Sequence, residues 1–247
     1  MSTIEAPPVV SLADTTALIL AGGRGERLLP FTASVPKPLV PLRGRPLLEH
    51  LLRYLAGAGL RRFVLCTGYR SDAVSAFAET LRSELPDLTC SDAGPDASMT
   101  DRLAAARALS GKRALVCYGD TLANVDLGAL HAAHLASGRL ATLTVYPLRS
   151  AFGIVEADAT DRVLAFREKP ELPYWINIGF LLCERAALDA IRPESDMPAL
   201  LAGLAADGRL GAYRHTGTHL TVNTPRERAA AEAELVNFYT LPEQEPQ

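Results

Sequence analysis

The stretch from Leu18 to Pro41 constrains this chain more than any other. Ala17-Leu18-Ile19-Leu20-Ala21 is an apolar run as long as a buried strand, and Gly22, Gly23 and Gly25 follow at once. Residues without a Cβ let a backbone curl until several N–H groups converge on one anion. Arg24 and Arg27 add charge at the same turn, and Lys37 follows between Pro36 and Pro38. Flanking prolines predict an extended, non-helical segment around Lys37. The stretch therefore predicts a strand, a glycine turn and a stiff basic arm, suited to a polyphosphorylated ligand. Two commoner glycine motifs are excluded. No Lys follows Gly25 as a P-loop requires, and Leu28 stands where a dinucleotide fingerprint needs its third glycine.

The positive charge is local. Net charge over the 247 residues is −3, yet residues 17–70 hold nine Lys or Arg against Glu26 and Glu49, a net of +7. A basic first quarter in an acidic chain suits an anionic small ligand better than nucleic acid, for which no binding motif is present. No apolar run reaches membrane-spanning length. The first fifteen residues have no basic leader segment and contain Pro7 and Pro8, so they do not resemble a secretory signal. Cys66, Cys90, Cys117 and Cys183 are widely spaced, which predicts free thiols in a reducing cytoplasm.

Strand and helix patterns alternate along the chain. Leu47, Leu48, Leu51, Leu52 and Leu55 recur at helical spacing, Arg62–Thr67 is strand-like, and a helix is predicted from Ser71 to about Leu85. Leu88–Ser91, Ala114–Tyr118 and Leu140–Tyr146 are further strands, with helices near 101–109 and 127–137 between them. This rhythm predicts an α/β fold, with a mostly parallel, Rossmann-like sheet and helices on both faces. Ligands of such sheets sit beyond the carboxyl ends of the strands, where both the glycine turn and Asp120 fall. From Phe152 the strands at 152–156, 163–167 and 175–183 have little helix between them, which predicts an antiparallel extension. A closing helix is predicted at 225–239, with Thr224 as N-cap and Pro225 in its first turn. A single domain over 16–240 is expected, between a tail at 1–15 and another at 241–247.

Leu20-Ala21-Gly22-Gly23-Arg24-Gly25-Glu26-Arg27-Leu28 with Pro36-Lys37-Pro38-Leu39 resembles the signature of the sugar-1-phosphate nucleotidyltransferases. The resemblance runs from about Ala17 to Leu235 and is strongest toward the glucose-1-phosphate cytidylyltransferase branch. It implies a Mg²⁺-dependent enzyme that joins a nucleoside triphosphate, CTP first, to a sugar 1-phosphate and releases pyrophosphate. A guanylyltransferase acting on a mannose-like or heptose 1-phosphate is the alternative within the family. A catalytically weak nucleotide-binding relative is the alternative outside enzymatic function. A homo-oligomer is compatible with all three.

The resemblance also implies residue roles. Arg27 and Lys37 would be catalytic, stabilising the triphosphate and the α-phosphate. Leu20, Ala21, Gly22, Gly23, Gly25 and Gly119 would hold the nucleotide. Ser98, Met99 and Thr100, in a stretch similar to S-M-T-G-G-R-L, would lie near base and sugar. Glu168-Lys169-Pro170 resembles an E-K-P sugar-phosphate motif, and 175–180 resembles a W-I-N-G-G-F strand that would contribute Asn177 and Gly179. Asp120 would be the metal-binding aspartate, a role that also suits a carboxylate at the end of an apolar strand. Two departures stand out. Asp101 replaces the two glycines after Thr100, and Thr221-Val222-Asn223-Thr224-Pro225 lacks the second metal aspartate, leaving Asn223 or Thr221 in its place. Restoring that charge with Asn223→Asp is expected to tighten metal use. His131 and His134 are expected on a solvated helix face; His215 and His219, at the ends of short strands expected at 210–215 and 219–222, flank Gly217, where sugar contact and loop polarity explain them equally well.

Overall fold

The computed structural model describes residues 12–192 and 195–239. Most of the expected N-terminal tail and all of the C-terminal one lie outside these residues. The tail ends earlier than Thr15: Leu12 is buried, and Thr15 opens the first strand.

In chain order the elements are β1 (Thr15–Leu20), β2 (Pro41–Leu42), β3 (Arg45–Pro46), α1 (Leu47–Gly57), β4 (Arg62–Thr67), α2 (Ser71–Thr80), β5 (Leu88–Asp92), α3 (Met99–Ala106), β6 (Arg113–Tyr118), β7 (Thr121–Ala123), α4 (Leu127–Ser137), β8 (Ala141–Arg149), β9 (Ile154–Ala157), β10 (Val163–Arg167), β11 (Glu171–Glu184), α5 (Arg185–Asp189), α6 (Met197–Ala206), β12 (Leu210–Arg214), β13 (His219–Thr221) and α7 (Pro225–Phe238). The main sheet has the order β12-β8-β11-β6-β1-β4-β5. Six of its strands share one direction and β11 runs against them, so the sheet is mostly parallel as expected.

Side chains alternate across this sheet with the strand period of two. Ala17, Ile19, Leu115 and Cys117 face one core, with the buried leucines of α1 and with Val74, Leu130 and Phe238. Leu18, Ala114 and Val116 face the other, with Leu103, Leu188, Met197 and Leu204 from α3, α5 and α6. Helices thus cover both faces. α2 stops at Thr80, short of the expected Leu85, and the chain tightens into turns from Leu81. α3 starts earlier than expected, at Met99, because Ser98 caps it. α7 carries the expected cap: the Glu227 N–H donates to the Thr224 hydroxyl at 3.2 Å.

The antiparallel extension is an arm at one edge of the sheet. The far end of β11 stays paired with β8 at Trp175, Ile176 and Asn177, and β9 pairs with β10. Phe152, Val163, Phe166 and Tyr174 on this arm are exposed.

The histidines correct the sequence expectation. His131 and His134 are buried, because that face of α4 packs on the opposite edge of the sheet from the glycine turn. His134 Nδ1 is 2.9 Å from the Thr142 hydroxyl and its Nε2 3.4 Å from Glu184, which also binds Arg113. His215 is buried as well, 3.0 Å from the Thr218 carbonyl, while His219 Nε2 is buried with no hydrogen-bond partner. Burial lowers all four pKa values, that of His219 to about 4. The native state therefore binds fewer protons than the unfolded one below the usual histidine pKa of about 6.5. Stability is full above that value and is lost as pH falls from about 6.5 toward 4. The melting temperature is expected to drop between pH 7 and pH 5, and the drop to be shallower in His219→Asn; parallel melting curves against pH check this.

Candidate active site

The glycine turn leaves β1 at the carboxyl edge of the sheet, beside the end of β6. Its glycines answer to different demands. A Cβ on Gly22 would lie 2.9 Å from the Gly68 backbone nitrogen and closer still to the Arg102 guanidinium. Gly25 has φ +67°, and its Cβ would lie 2.7 Å from Lys37 Cβ. A Cβ on Gly119 would lie 2.6 Å from the Leu20 carbonyl oxygen. Gly23 is different: a Cβ there would meet no protein atom within 4 Å and would point into open space.

That space is a cleft. One lobe, of about 130 Å³, is lined by Leu20, Gly22, Gly23, Met99, Arg102, Tyr118 and Gly119. A wider lobe, of about 490 Å³, lies against Arg24, Gly25, Glu26, Arg27 and Asn223. Lys37 and Asp120 line both. Lys37 is held at the start of a single 3-10 turn, Lys37–Leu39, instead of in the extended segment the prolines predict. Pro38 sits in the first turn, where a missing N–H costs nothing. The Lys37 ammonium is nearly buried and bridges two oxygens, Asp120 Oδ2 at 2.6 Å and Asn223 Oδ1 at 2.7 Å. Arg27 Nη2 lies 3.4 Å from the same Asn223 oxygen.

Asn223 arrives from the far end of the chain through a short ribbon, of which the sequence offers the strand at 219–222 but not its partner β7. β13 pairs with β7, with Thr221 opposite Thr121, and the Val222 N–H donates to the Asp120 carbonyl at 3.2 Å. Between Asn223 and Thr221, it is Asn223 whose oxygen faces Lys37. The Thr221 hydroxyl instead donates to Glu227 Oε2 at 2.9 Å. Burial pushes the Glu227 carboxyl up, but hydrogen bonds from Thr221 and Asn223 and the nearby Lys37 charge outweigh it and hold the pKa below its usual value.

The other expected residues divide. Leu20, Gly22, Gly23, Gly25, Met99 and Gly119 line the cleft. Ala21 does not: its N–H donates to Cys66 and its side chain lies in the core. Ser98 and Thr100 spend their hydroxyls elsewhere. Ser98 forms a capping box with Asp101, and buried Thr100 donates to the Ser195 carbonyl. Asp101 therefore serves the cap of α3. Asn177 Oδ1 accepts from the Gly179 N–H at 2.8 Å, and its side chain meets that of Tyr118 in the cleft wall. Gly179, at φ +78°, is needed by that same ring, since a Cβ there would lie 2.5 Å from Tyr118 Cγ. Glu168 and Lys169 are on the exposed arm and line neither lobe, their side chains 3.7 Å apart. Lys169 has φ +44°, an uncommon backbone for a residue with a side chain.

Arg102 was missed as a site residue. It is 7% exposed, its Nη2 donates to the Gly22 carbonyl at 3.0 Å, and its Nε has no partner. Burial lowers its pKa. The unpartnered Nε is sealed between Gly22 and Gly68, while the guanidinium as a whole lines the narrower lobe and brings positive charge to it. Its sequence signal was the single Arg closing Ser98-Met99-Thr100-Asp101-Arg102.

The donor set fits a hard divalent cation. Asp120 offers a carboxylate and Asn223 an amide oxygen, converging where the Lys37 ammonium sits in this structure, so a metal would share or take that place; Mg²⁺ is commonly held by one or two carboxylates plus phosphate oxygens. Among the described residues no group of three or more His, Cys, Asp and Glu side chains is arranged to hold a metal.

Residues 16–199 match the model of the family described as "Nucleotidyl transferase". The chain belongs to the nucleotidyl transferase family. It is 33% identical over 232 residues to a mannose-1-phosphate guanylyltransferase of Mycobacterium tuberculosis, covering 89% of this chain and 64% of that protein. It is 31% identical over 243 residues to a glucose-1-phosphate cytidylyltransferase of Salmonella typhi, covering 87% and 94%. The chain thus spans less than two thirds of the guanylyltransferase and nearly the whole of the cytidylyltransferase. The fold matches the crystal structure of a candidate glucose-1-phosphate thymidylyltransferase from Bacillus anthracis solved with sucrose, with a TM-score of 0.70 and 18% identity over 93% of this chain and 98% of that one.

Two glycine substitutions separate packing from ligand space. Gly25→Ala forces a left-handed alanine against Lys37 and is expected to cost about 1–2 kcal/mol or more of stability. Gly23→Ala is expected to stay within about 1 kcal/mol of the parent chain, while losing affinity for a nucleoside triphosphate. Denaturant unfolding and nucleotide titration of both variants check this pair.

Proposed function

We propose that this chain is a sugar-1-phosphate nucleotidyltransferase that joins a nucleoside triphosphate, with CTP preferred, to a sugar 1-phosphate and releases pyrophosphate. The observation that carries the reading is the Lys37 ammonium between Asp120 and Asn223, where the two lobes of the glycine-lined cleft meet. An oxygen of the sugar phosphate attacks the α-phosphorus, and the bond to the bridging oxygen of pyrophosphate breaks. The nucleophile is already an anion, so no general base is needed. The protein's task is to align two anions and offset their charge.

The residues divide that task. Backbone N–H groups at Gly22, Gly23 and Gly25 face the phosphates. Arg27, at the wider lobe, offsets charge on the departing pyrophosphate. Lys37 offsets charge at the α-phosphate, and Arg102 brings positive charge to the wall of the narrower lobe. Lys169 reaches the sugar phosphate from the arm, with Asn177 and Gly179 at its base. Asp120 and Asn223 would hold Mg²⁺, which when bound neutralises charge on phosphate oxygens. The near-complete span of the Salmonella cytidylyltransferase supports CTP. The 33% identity to the mycobacterial protein supports the second reading, GTP with a mannose-like 1-phosphate. The enzyme acts on small molecules in the cytoplasm, without nucleic acid or membrane.

The test is pyrophosphate release with Mg²⁺ across ATP, CTP, GTP, UTP and dTTP, each with several hexose and heptose 1-phosphates. CTP with a hexose 1-phosphate is expected to give the highest rate; GTP with mannose 1-phosphate in first place would establish the second reading. A grid without turnover, from protein that still binds a nucleotide, would overturn the enzymatic reading in favour of a nucleotide-binding relative. Lys37→Met is expected to lower kcat by about 10²–10³-fold, the effect of losing one preorganised charge-stabilising donor. Lys169→Ala is expected to raise KM for the sugar phosphate more than for the nucleotide; equal losses would remove Lys169 from the sugar side.

A further inference from the structure

Asn223 faces the cation position without a charge of its own, and the chain places a carboxylate directly behind it. The amide is fixed in one orientation. Its oxygen points to Lys37 at 2.7 Å and Arg27 at 3.4 Å, while its Nδ2 donates to Glu227 Oε2 at 3.1 Å. With cations on one side and a carboxylate on the other, the flipped amide would oppose like with like on both sides. Glu227 Oε2 also accepts from the Asn223 backbone N–H at 3.0 Å and from the Thr221 hydroxyl at 2.9 Å.

The position of Glu227 makes this arrangement unusual. It is the third residue of α7, and its N–H donates to the Thr224 cap. In a capping box such a glutamate turns back to the N–H of the cap residue itself. Here it passes Thr224 and takes both the backbone and the side chain of Asn223. An acceptor behind a metal-facing donor fixes its orientation and draws electron density toward its far oxygen.

We propose that Glu227 is a positioning residue that supplies, one hydrogen bond behind Asn223, the negative charge that the cation-facing side chain lacks. The inference rests on the nucleotidyltransferase reading of the site. It changes the expectation for Asn223→Asp, because the second aspartate oxygen would face Glu227 Oε2 where Nδ2 now donates at 3.1 Å. Two carboxylates in that contact repel, so adding the charge alone gains nothing. Moving the charge forward requires both Asn223→Asp and Glu227→Gln, so that the new amide donates to the new carboxylate.

The test is Mn²⁺ binding to the full chain without nucleotide, followed by electron paramagnetic resonance alongside melting curves. Glu227→Gln is expected to weaken Mn²⁺ binding by about tenfold or more, the usual scale for a residue behind a metal ligand. Asn223→Asp is expected to bind Mn²⁺ no more tightly than wild type and to melt lower. The double variant is expected to recover at least wild-type affinity, a rescue that a purely structural role for Glu227 would not produce. Wild-type affinity in folded Glu227→Gln would overturn the proposal. So would a double variant no tighter than Asn223→Asp alone, a comparison that stands even where Glu227→Gln does not fold. Wild-type protein that binds no Mn²⁺, or whose binding survives Asp120→Asn, would overturn the metal site itself and the proposal with it.

Discussion

The nearly buried ammonium of Lys37 is the interaction on which the site depends. Taking an ammonium out of water costs several kcal/mol unless good acceptors replace its hydration. Two oxygens do so, Asp120 Oδ2 and Asn223 Oδ1, and they come from chain segments 83 and 186 residues away. Each segment is delivered by its own backbone device. Lys37 opens a 3-10 turn behind Pro36, Asp120 stands two residues past the end of β6, and Asn223 two residues past a three-residue ribbon strand. The last third of the chain is thereby tied to the first. α7 then buries Leu235 and Phe238 in the same core as α1.

Around that ammonium the site is layered by charge and by space. Arginines surround the cleft, one carboxylate stands at its centre, and a second carboxylate is set back behind an amide. The glycines make the layers possible. At Gly22, Gly25 and Gly119 a side chain would strike backbone or Lys37, whereas at Gly23 it would occupy only the cleft. Packing explains three of the four, and the fourth borders open space.

Features with a local cause were legible in the sequence. The apolar runs, the leucine spacing of α1, the Thr224-Pro225 start of α7 and the sheet with helices on both faces follow from periodicity and capping. The glycine turn, Lys37 and Asp120 were found by composition and position at strand ends. What escaped depends on contacts between distant segments. A strand at 219–222 is legible, but three-residue β7 and its pairing with β13 are not, and that pairing decides that Asn223 and not Thr221 meets Lys37. His131 and His134 sit at helical spacing on a polar-looking face, and only Arg113 and Glu184 on the opposing strands turn that face inward. Arg102 was hidden within a motif dominated by its neighbours, and the hydroxyls of Ser98 and Thr100 are taken by the cap of α3 and the loop at Ser195.

The reversed direction of β11 has a consequence of a different kind. In a uniformly parallel sheet, whatever follows a strand belongs to the ligand edge, and whatever precedes it belongs to the far side. β11 inverts this, so the chain enters the core from the ligand edge, and the segment just before the core, from the Glu168-Lys169-Pro170 turn to Gly179, hangs over that edge. The arm continues β8 and β11, touches the frame at its base through Tyr118 and Arg214, and has much of its surface facing solvent. Its length and side chains can drift between relatives without shifting the register of the five remaining strands. Change along the glycine turn has no such freedom, because every glycine there that packs does so against the frame. The arm is therefore freer to vary than the glycine-lined cleft.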